Sequence, residues 1–293
     1  MKPRTMDLFW RTASWLSGLT VSASVMFLIG FLLWQGIHAL SPALFFGDTA
    51  WQDALFGRKP VFEGIWPAVV GTLSLVVLAS LIAVPIGVAA GIYLSEYATI
   101  RQCRWIGSLV DLLSATPSIV MGLFGFTLIL LLRRTMLPNA QTGLMLAAAC
   151  IALIVLPYLI ATTRASLQGI PEESRLLGAS LGLTKWQHIR HTLIPLSAKG
   201  ILGGVVLAIG RAAEDTAVIL MTGVMARAGM PRNLWDKFEA LPFQVYYLAA
   251  EHRNAAELAQ GFGTALVLLI VTAALFGFSY WIERQAARRW DSG

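Results

Sequence analysis

Apolar residues fall into six long runs separated by polar intervals: about Ala13–Leu40, Gly64–Leu94, Trp105–Leu132, Gly143–Thr163, Gly200–Val224 and Gly261–Ile282. A helix needs about 20 apolar residues to cross a bilayer, so the pattern predicts an all-α polytopic membrane protein with six transmembrane helices. The first run is too long for a signal-peptide core and is expected to remain as an anchor. Pro42, Gly47, Gly57 and Pro60 punctuate the loop that follows it. Neither a fixed-period repeat nor a low-complexity tract is present, so residues 1–293 read as a single membrane domain.

The longest polar interval between two apolar runs, Gly169–Pro195, carries signals for two short helices. Pro171 suits a first helical position, and Glu172 and Glu173 then face the positive end of the helix dipole. Gly178 and Gly182 are expected to interrupt this helix. Thr184 caps a second one, with Gln187 three residues on as a capping box requires. Leu176, Ala179 and Leu183 recur at helical spacing, as do Trp186, Ile189 and Leu193, so each helix has an apolar side. Such a pair needs an apolar surface to face: its own chain, the lipid surface or a soluble partner.

Composition agrees with a membrane protein. Charged residues make up 13% of the 293, against about 25% in an ordinary soluble domain, and the mean hydropathy is +0.69. The net charge of +6 and pI of about 9.6 come from basic residues spread along the flanks of the runs. That distribution fits positive-inside orientation and gives no patch for nucleic acid. With a cytoplasmic N-terminus, thirteen basic residues fall inside, eight outside, and Arg211 is left within a span. The excess places both termini and the 169–195 interval in the cytoplasm. Cys103 and Cys150 have neither disulfide nor zinc spacing. His188 and His191, three apart, read as surface histidines on a docking helix in preference to metal ligands.

Two groups of residues could carry chemistry. Arg211, Glu214 and Asp215 lie inside the fifth run, where each charge costs about 2.5–3.5 kcal/mol. Their spacings let both carboxylates reach the guanidinium from one helix face. They form either a self-neutralising structural cluster or the polar lining of a transport path. In the third run Pro117 frees a carbonyl, and Thr116 and Ser118 can satisfy freed groups or offer hydroxyls to a passing ion. A lipid-facing kink is the alternative. Glu96 and Asp111, near the cytoplasmic face, are expected to be solvated or to pair with Arg101 and Arg104. No phosphate-binding loop, zinc-protease motif or nucleophile elbow occurs, so the chain is not expected to hydrolyse ATP or act as an enzyme.

Glu172-Glu173-Ser174, Gly178-Ala179, Ile189 and Leu193-Ile194-Pro195 resemble the "EAA" loop of ABC importer permeases, with Glu-Glu-Ser in place of Glu-Ala-Ala. The resemblance implies a type I, MetI-like permease fold. It also implies a cytoplasmic coupling helix seated in a groove of an ATPase subunit, with Glu172, Glu173, Gly178, Ala179, Trp186 and Pro195 as coupling residues. Gly64–Leu73, Gly91–Ala98, Ala115–Gly125 and Ala240–Tyr246 are similar to segments of phosphate-specific ABC permeases of the PstA/PstC type, the PstA branch above all. Their fifth span carries Arg-x-x-Gly-Glu-Thr-Ala, matched here by Arg211, Asp215, Thr216 and Ala217, with Glu214 in place of the glycine.

This resemblance implies a substrate pathway through Arg211, Glu214, Asp215, Thr216, Thr116, Pro117 and Ser118, with Arg211 meeting the phosphate oxyanion. It implies a second homologous permease, two ATP-binding subunits and an extracytoplasmic phosphate-binding protein as partners in a bacterial inner membrane. ATP and Mg would then serve the ATPase, and this chain would bind no cofactor. Another oxyanion (molybdate, tungstate, sulfate or a phosphonate) and an ion-coupled secondary transporter, in which Glu214 and Asp215 relay protons, remain as alternatives.

Overall fold

A computed structural model describes residues 3–55, 58–61, 63–135, 138 and 140–291, without the side chains of 3–5, 177, 179, 283 and 286–291. Lys2 and Gly57, and the side chains of Arg4, Ala179, Arg288 and Arg289, are thus outside the described residues. The fold is all-α. Among the described residues no strand forms, and Val224 and Phe238 make one isolated bridge. In order come α1 (Pro3–Ile37), α2 (Pro42–Phe46), α3 (Trp51–Leu55) and α4 (Trp66–Ile92), which runs into a π-helical turn at Tyr93–Tyr97. Next are α5 (Ile100–Ala115), α6 (Ser118–Thr135), α7 (Leu144–Gln168), α8 (Glu172–Ser180) and α9 (Lys185–His188). A second π-turn at Ile189–Leu193 leads into α10 (Ile194–Glu214), followed by α11 (Thr216–Thr222), α12 (Leu241–Glu251) and α13 (Ala255–Asp291).

Six stretches among the described residues are long and apolar enough to cross a membrane: Met6–Ile37, Trp66–Tyr97, Ser118–Thr135, Leu144–Gln168, Lys185–Glu214 and Ala255–Ile282. Two differ in kind from the sequence expectation. The third run is not one helix from Trp105 to Leu132, because the backbone leaves the helical region at Thr116 (φ −74°, ψ 124°) and restarts at Ser118. Pro117 dictates this: its ring excludes the preceding residue from the α region, and it has no N–H to continue the ladder. The fifth run breaks at Asp215 (φ −75°, ψ 105°).

The centre of the bundle is α7, whose Ala147, Ala148, Ile151, Ala152, Val155 and Leu159 are buried between α4 and α10. Close approach on both sides depends on glycines four residues apart. Gly87 and Gly91 of α4 lie against Leu159 and Thr163, and Gly200 and Gly204 of α10 lie against Ser166 and Thr162. A Cβ on Gly91 would meet the Thr163 Cβ at 2.6 Å. Since lipid is as apolar as a leucine side chain, such small-residue seams, and not hydrophobicity, hold spans together. Peripheral α1 touches α13 chiefly near its end, where Phe31 meets Phe262 edge-on at 5.8 Å. The rest of its apolar surface is bare, as suits a helix facing lipid.

Candidate functional site: two broken helices at an arginine and a hairpin at one end

The two breaks lie together. α6 and α11 pack so closely that a Cβ on Gly122 would stand 3.2 Å from the Ala217 carbonyl oxygen and the Val218 Cα. Arg211, in the last turn of α10, bridges them. Its Nη2 donates to Ser118 Oγ at 3.0 Å, at the start of α6, and lies 3.6 Å from Asp215 Oδ2. Asp215 is buried and does two jobs, because its Oδ1 also accepts the Val218 N–H at 3.0 Å and so caps α11. Small polar residues at caps and prolines before helices serve the same end here: Pro117 O accepts the Val120 N–H at 3.0 Å as α6 begins. Thr116 turns inward on its own helix, donating to Leu112 O at 2.8 Å.

The Arg211 side chain is 46% exposed, against 3% for its partner Asp215. A guanidinium has five N–H donors, and Nη1 and Nε have no acceptor among the described residues. Glu214 corrects an expectation. Its carboxylate is exposed and pairs with no described residue, so only Asp215 meets the guanidinium. The helix ends between the two acids, and this turns them apart. Thr216 is half-buried, with only a long 3.5 Å contact to the Glu214 carbonyl.

The 169–195 interval forms the anticipated hairpin with changes of detail. Pro171 precedes the first turn, and its carbonyl accepts from Ser174 at 3.1 Å and Arg175 at 3.3 Å. Glu172 and Glu173 are exposed in that turn. Gly178 does not interrupt α8 but lies inside it, where any Cβ would run into the His188 ring. Gly182, at φ +67°, ends the segment instead, a conformation that favours glycine. The capping box forms: Thr184 N–H donates to Gln187 Oε1 at 2.9 Å, and Gln187 N–H to Thr184 Oγ1 at 3.4 Å.

The apolar positions part company. Ile189 and Leu193 are buried on Leu167 and Ile170, whereas Trp186 is bare, together with Leu176 and Leu181. Pro195 cannot donate and its ring crowds the preceding turn. The chain meets this with the π-turn, in which Ile194 N–H reaches Ile189 O. α9, the turn and α10 thereby form one continuous helical rod from Lys185 to Glu214.

The hairpin is tied to the end of α4. Arg175 Nη1 donates to both Glu96 oxygens, at 3.1 and 3.3 Å, and its Nη2 donates to the Leu167 carbonyl. Lys185 lies over the Tyr97 ring, 4.6 Å from its centre. Glu96 thus pairs with Arg175, not with Arg101 or Arg104, and Asp111 is exposed with no ion pair among the described residues. Local spacing could not reveal a pair 79 residues apart. The four-residue glycine spacings of α4 and α10, by contrast, are a local signal that could have pointed to the helix seams. No group of three or more His, Cys, Asp or Glu among the described residues could hold a metal.

Six stretches long and apolar enough to cross a membrane, with two helix breaks beside a half-exposed arginine, form an architecture that suits a membrane permease. Residues 83–291 match the family described as binding-protein-dependent transport system inner membrane component, and the chain belongs to that family. It is 31% identical over 241 residues to the phosphate transport system permease protein PstA 1 of Mycobacterium tuberculosis (strain CDC 1551 / Oshkosh), covering 82% of this chain and 77% of that one. It is 30% identical over 286 residues to the corresponding PstA of Yersinia pestis, covering 92% of each. Its fold is similar to that of the MetNI methionine ABC transporter in inward-facing form, with a TM-score of 0.59 and 15% identity over 81% of this chain and 99% of that one. The fold is accordingly the MetI-like one of ABC importer permeases.

Proposed function

We propose that this chain is a permease subunit of an ATP-driven importer of inorganic phosphate, and that phosphate passes Arg211. The observation that carries this is the placement of Arg211 between two helix breaks, held by Ser118 and Asp215 with its remaining donors free. A guanidinium is planar, always charged and geometrically matched to the oxygens of a phosphate. Because Asp215 neutralises it only in part and at 3.6 Å, the site attracts an anion without binding it too tightly to release. Broken helices supply polar groups within a membrane where unbroken ones cannot.

The energy comes from elsewhere in the assembly. The bare apolar tip of the hairpin (Leu176, Leu181 and Trp186) docks on one of two ATP-binding subunits, which use ATP and Mg. Glu172, Glu173, Gly178, Ala179 and Pro195 shape that hairpin. Movement of the tip reaches Arg211 through the continuous rod that begins at Lys185, while Arg175 transmits it to α4 through Glu96. A second, homologous permease completes the path opposite Arg211, and an extracytoplasmic phosphate-binding protein delivers the ion. The hairpin and both termini face the cytoplasm of a bacterium, with the chain in its inner membrane.

Arg211→Ala should leave the complex assembled while phosphate uptake into vesicles fails; unchanged uptake would remove Arg211 from the path. Uptake that persists without ATP under an imposed proton gradient would overturn the ATP-driven reading.

A further inference from the structure

The end of the bundle opposite the hairpin carries a pocket of about 1000 Å³ between the loop after α3 and the loop joining α11 to α12. Its position follows from connectivity. α4 begins beside the pocket and ends at the Glu96–Arg175 pair, and the rod that starts in the hairpin leads through α11 into the second loop. The floor is apolar, with Val61, Val70 and Met230, and Lys59, Arg232 and Lys237 stand in its wall.

The charge balance is positive. Asp236 shares the wall but turns into its own loop, where Oδ2 accepts the N–H groups of Arg232 at 3.1 Å and Asn233 at 2.9 Å. Lys59 is paired with Asp53 at 2.8 Å, and Arg232 and Lys237 make no ion pair with an acid among the described residues. The wall is also preformed. Glu239, only 4% exposed, accepts the Gly229 N–H on Oε1 at 2.8 Å, and its carbonyl presses on Gly71 of α4. Phe238 beneath it is fully buried.

From this pocket, and resting on the importer reading above, we infer that it receives an acidic loop with an apolar tip from the extracytoplasmic binding protein. A single oxyanion would leave most of the volume unfilled, and an apolar floor does nothing for it. A protein loop uses both features, since an apolar side chain fills the floor while carboxylates meet Arg232 and Lys237. Methionine lining suits a surface that must fit and release a partner repeatedly. Charges at the rim chiefly steer encounter, so their contribution weakens as salt screens them.

The test uses the complete complex in proteoliposomes, with ATP hydrolysis measured while phosphate-loaded binding protein is titrated. In the Arg232→Glu/Lys237→Glu protein the half-maximal binding-protein concentration should rise about tenfold at low salt, with the gap narrowing as salt is added. Basal hydrolysis without binding protein should be unchanged, which also reports an intact fold. Glu239→Ala, which frees the wall, should raise the same concentration with less dependence on salt. An unchanged half-maximal concentration in the reversed protein, with the wild type responding normally, overturns the pocket assignment alone. So does a change confined to the dependence on free phosphate. A wild-type complex indifferent to binding protein overturns the importer reading, and this inference with it.

Discussion

Arg175 and Glu96 are 79 residues apart in the chain and 3.1 Å apart in the fold, and this pair fastens the hairpin to the end of α4. The two partners are unequally buried, since the Glu96 side chain is 9% exposed and that of Arg175 29%. Removing the arginine leaves a buried carboxylate with no counter-charge and only the Ser95 hydroxyl, 2.8 Å from its Oε1, whereas removing the acid leaves a cation that can reach water. Arg175→Met should therefore destabilise the hairpin more than Glu96→Gln, by about 3 kcal/mol where the stranded charge stays buried. Limited proteolysis between residues 171 and 195 measures this; susceptibility in both variants no greater than in the unaltered protein would mean that the pair does not anchor the hairpin.

Gly178 and His188 set the angle between the hairpin's helices. A Cβ at 178 has no room beside the imidazole, whose ring nitrogens, against the expectation of a surface histidine, are buried without a hydrogen-bond partner among the described residues. Gly178→Ala should pry α8 from α9 and lower the phosphate moved per ATP hydrolysed. Adding His188→Ala removes the obstruction and should restore most of the ratio. If the double variant is as uncoupled as the single one, the defect lies outside this contact.

Ser118 holds Arg211 in place without adding charge. Ser118→Ala removes one hydrogen bond to a charged group, worth about 1.5 kcal/mol, or about tenfold in affinity. Phosphate uptake should show that change in KM with the maximal rate largely kept. Arg211→Lys keeps the charge but loses the fork, and should impair uptake more severely than Ser118→Ala. A lysine variant transporting normally would show that charge alone suffices.

Glu239 predicts a pH dependence. Burial pushes its carboxyl above the ordinary value, opposed in part by the Gly229 hydrogen bond and the charge of Arg227. A carboxyl raised in the folded loop holds its proton more tightly there than in the opened loop. The closed form is thus favoured most in acid, and that advantage is lost as pH rises through the raised value. Hydrogen exchange across residues 225–240, corrected for intrinsic rates, should be slower in acid, and Glu239→Gln should remove the trend. The same trend in both proteins would assign it to another group.

Apolar runs longer than a bilayer's thickness left no other fold class open, because every backbone polar group in lipid must be satisfied within a helix. The capping box at Thr184, the membrane charges at Arg211 and Asp215, and the family segments were legible for the same reason: each is a relation between residues a few places apart. Where a long helix stops was not legible. Asp215 reads as one more helical residue until the packing of α6 on α11 makes it a cap, and Glu214 then turns away from the guanidinium it was expected to share. Trp186 likewise shares its spacing with Ile189 and Leu193, yet only those two found a surface within the chain. Local spacing selects the helices, but which face is covered, which acid meets which base and where a pocket opens depend on distant segments brought into contact, and only the tertiary structure decides those.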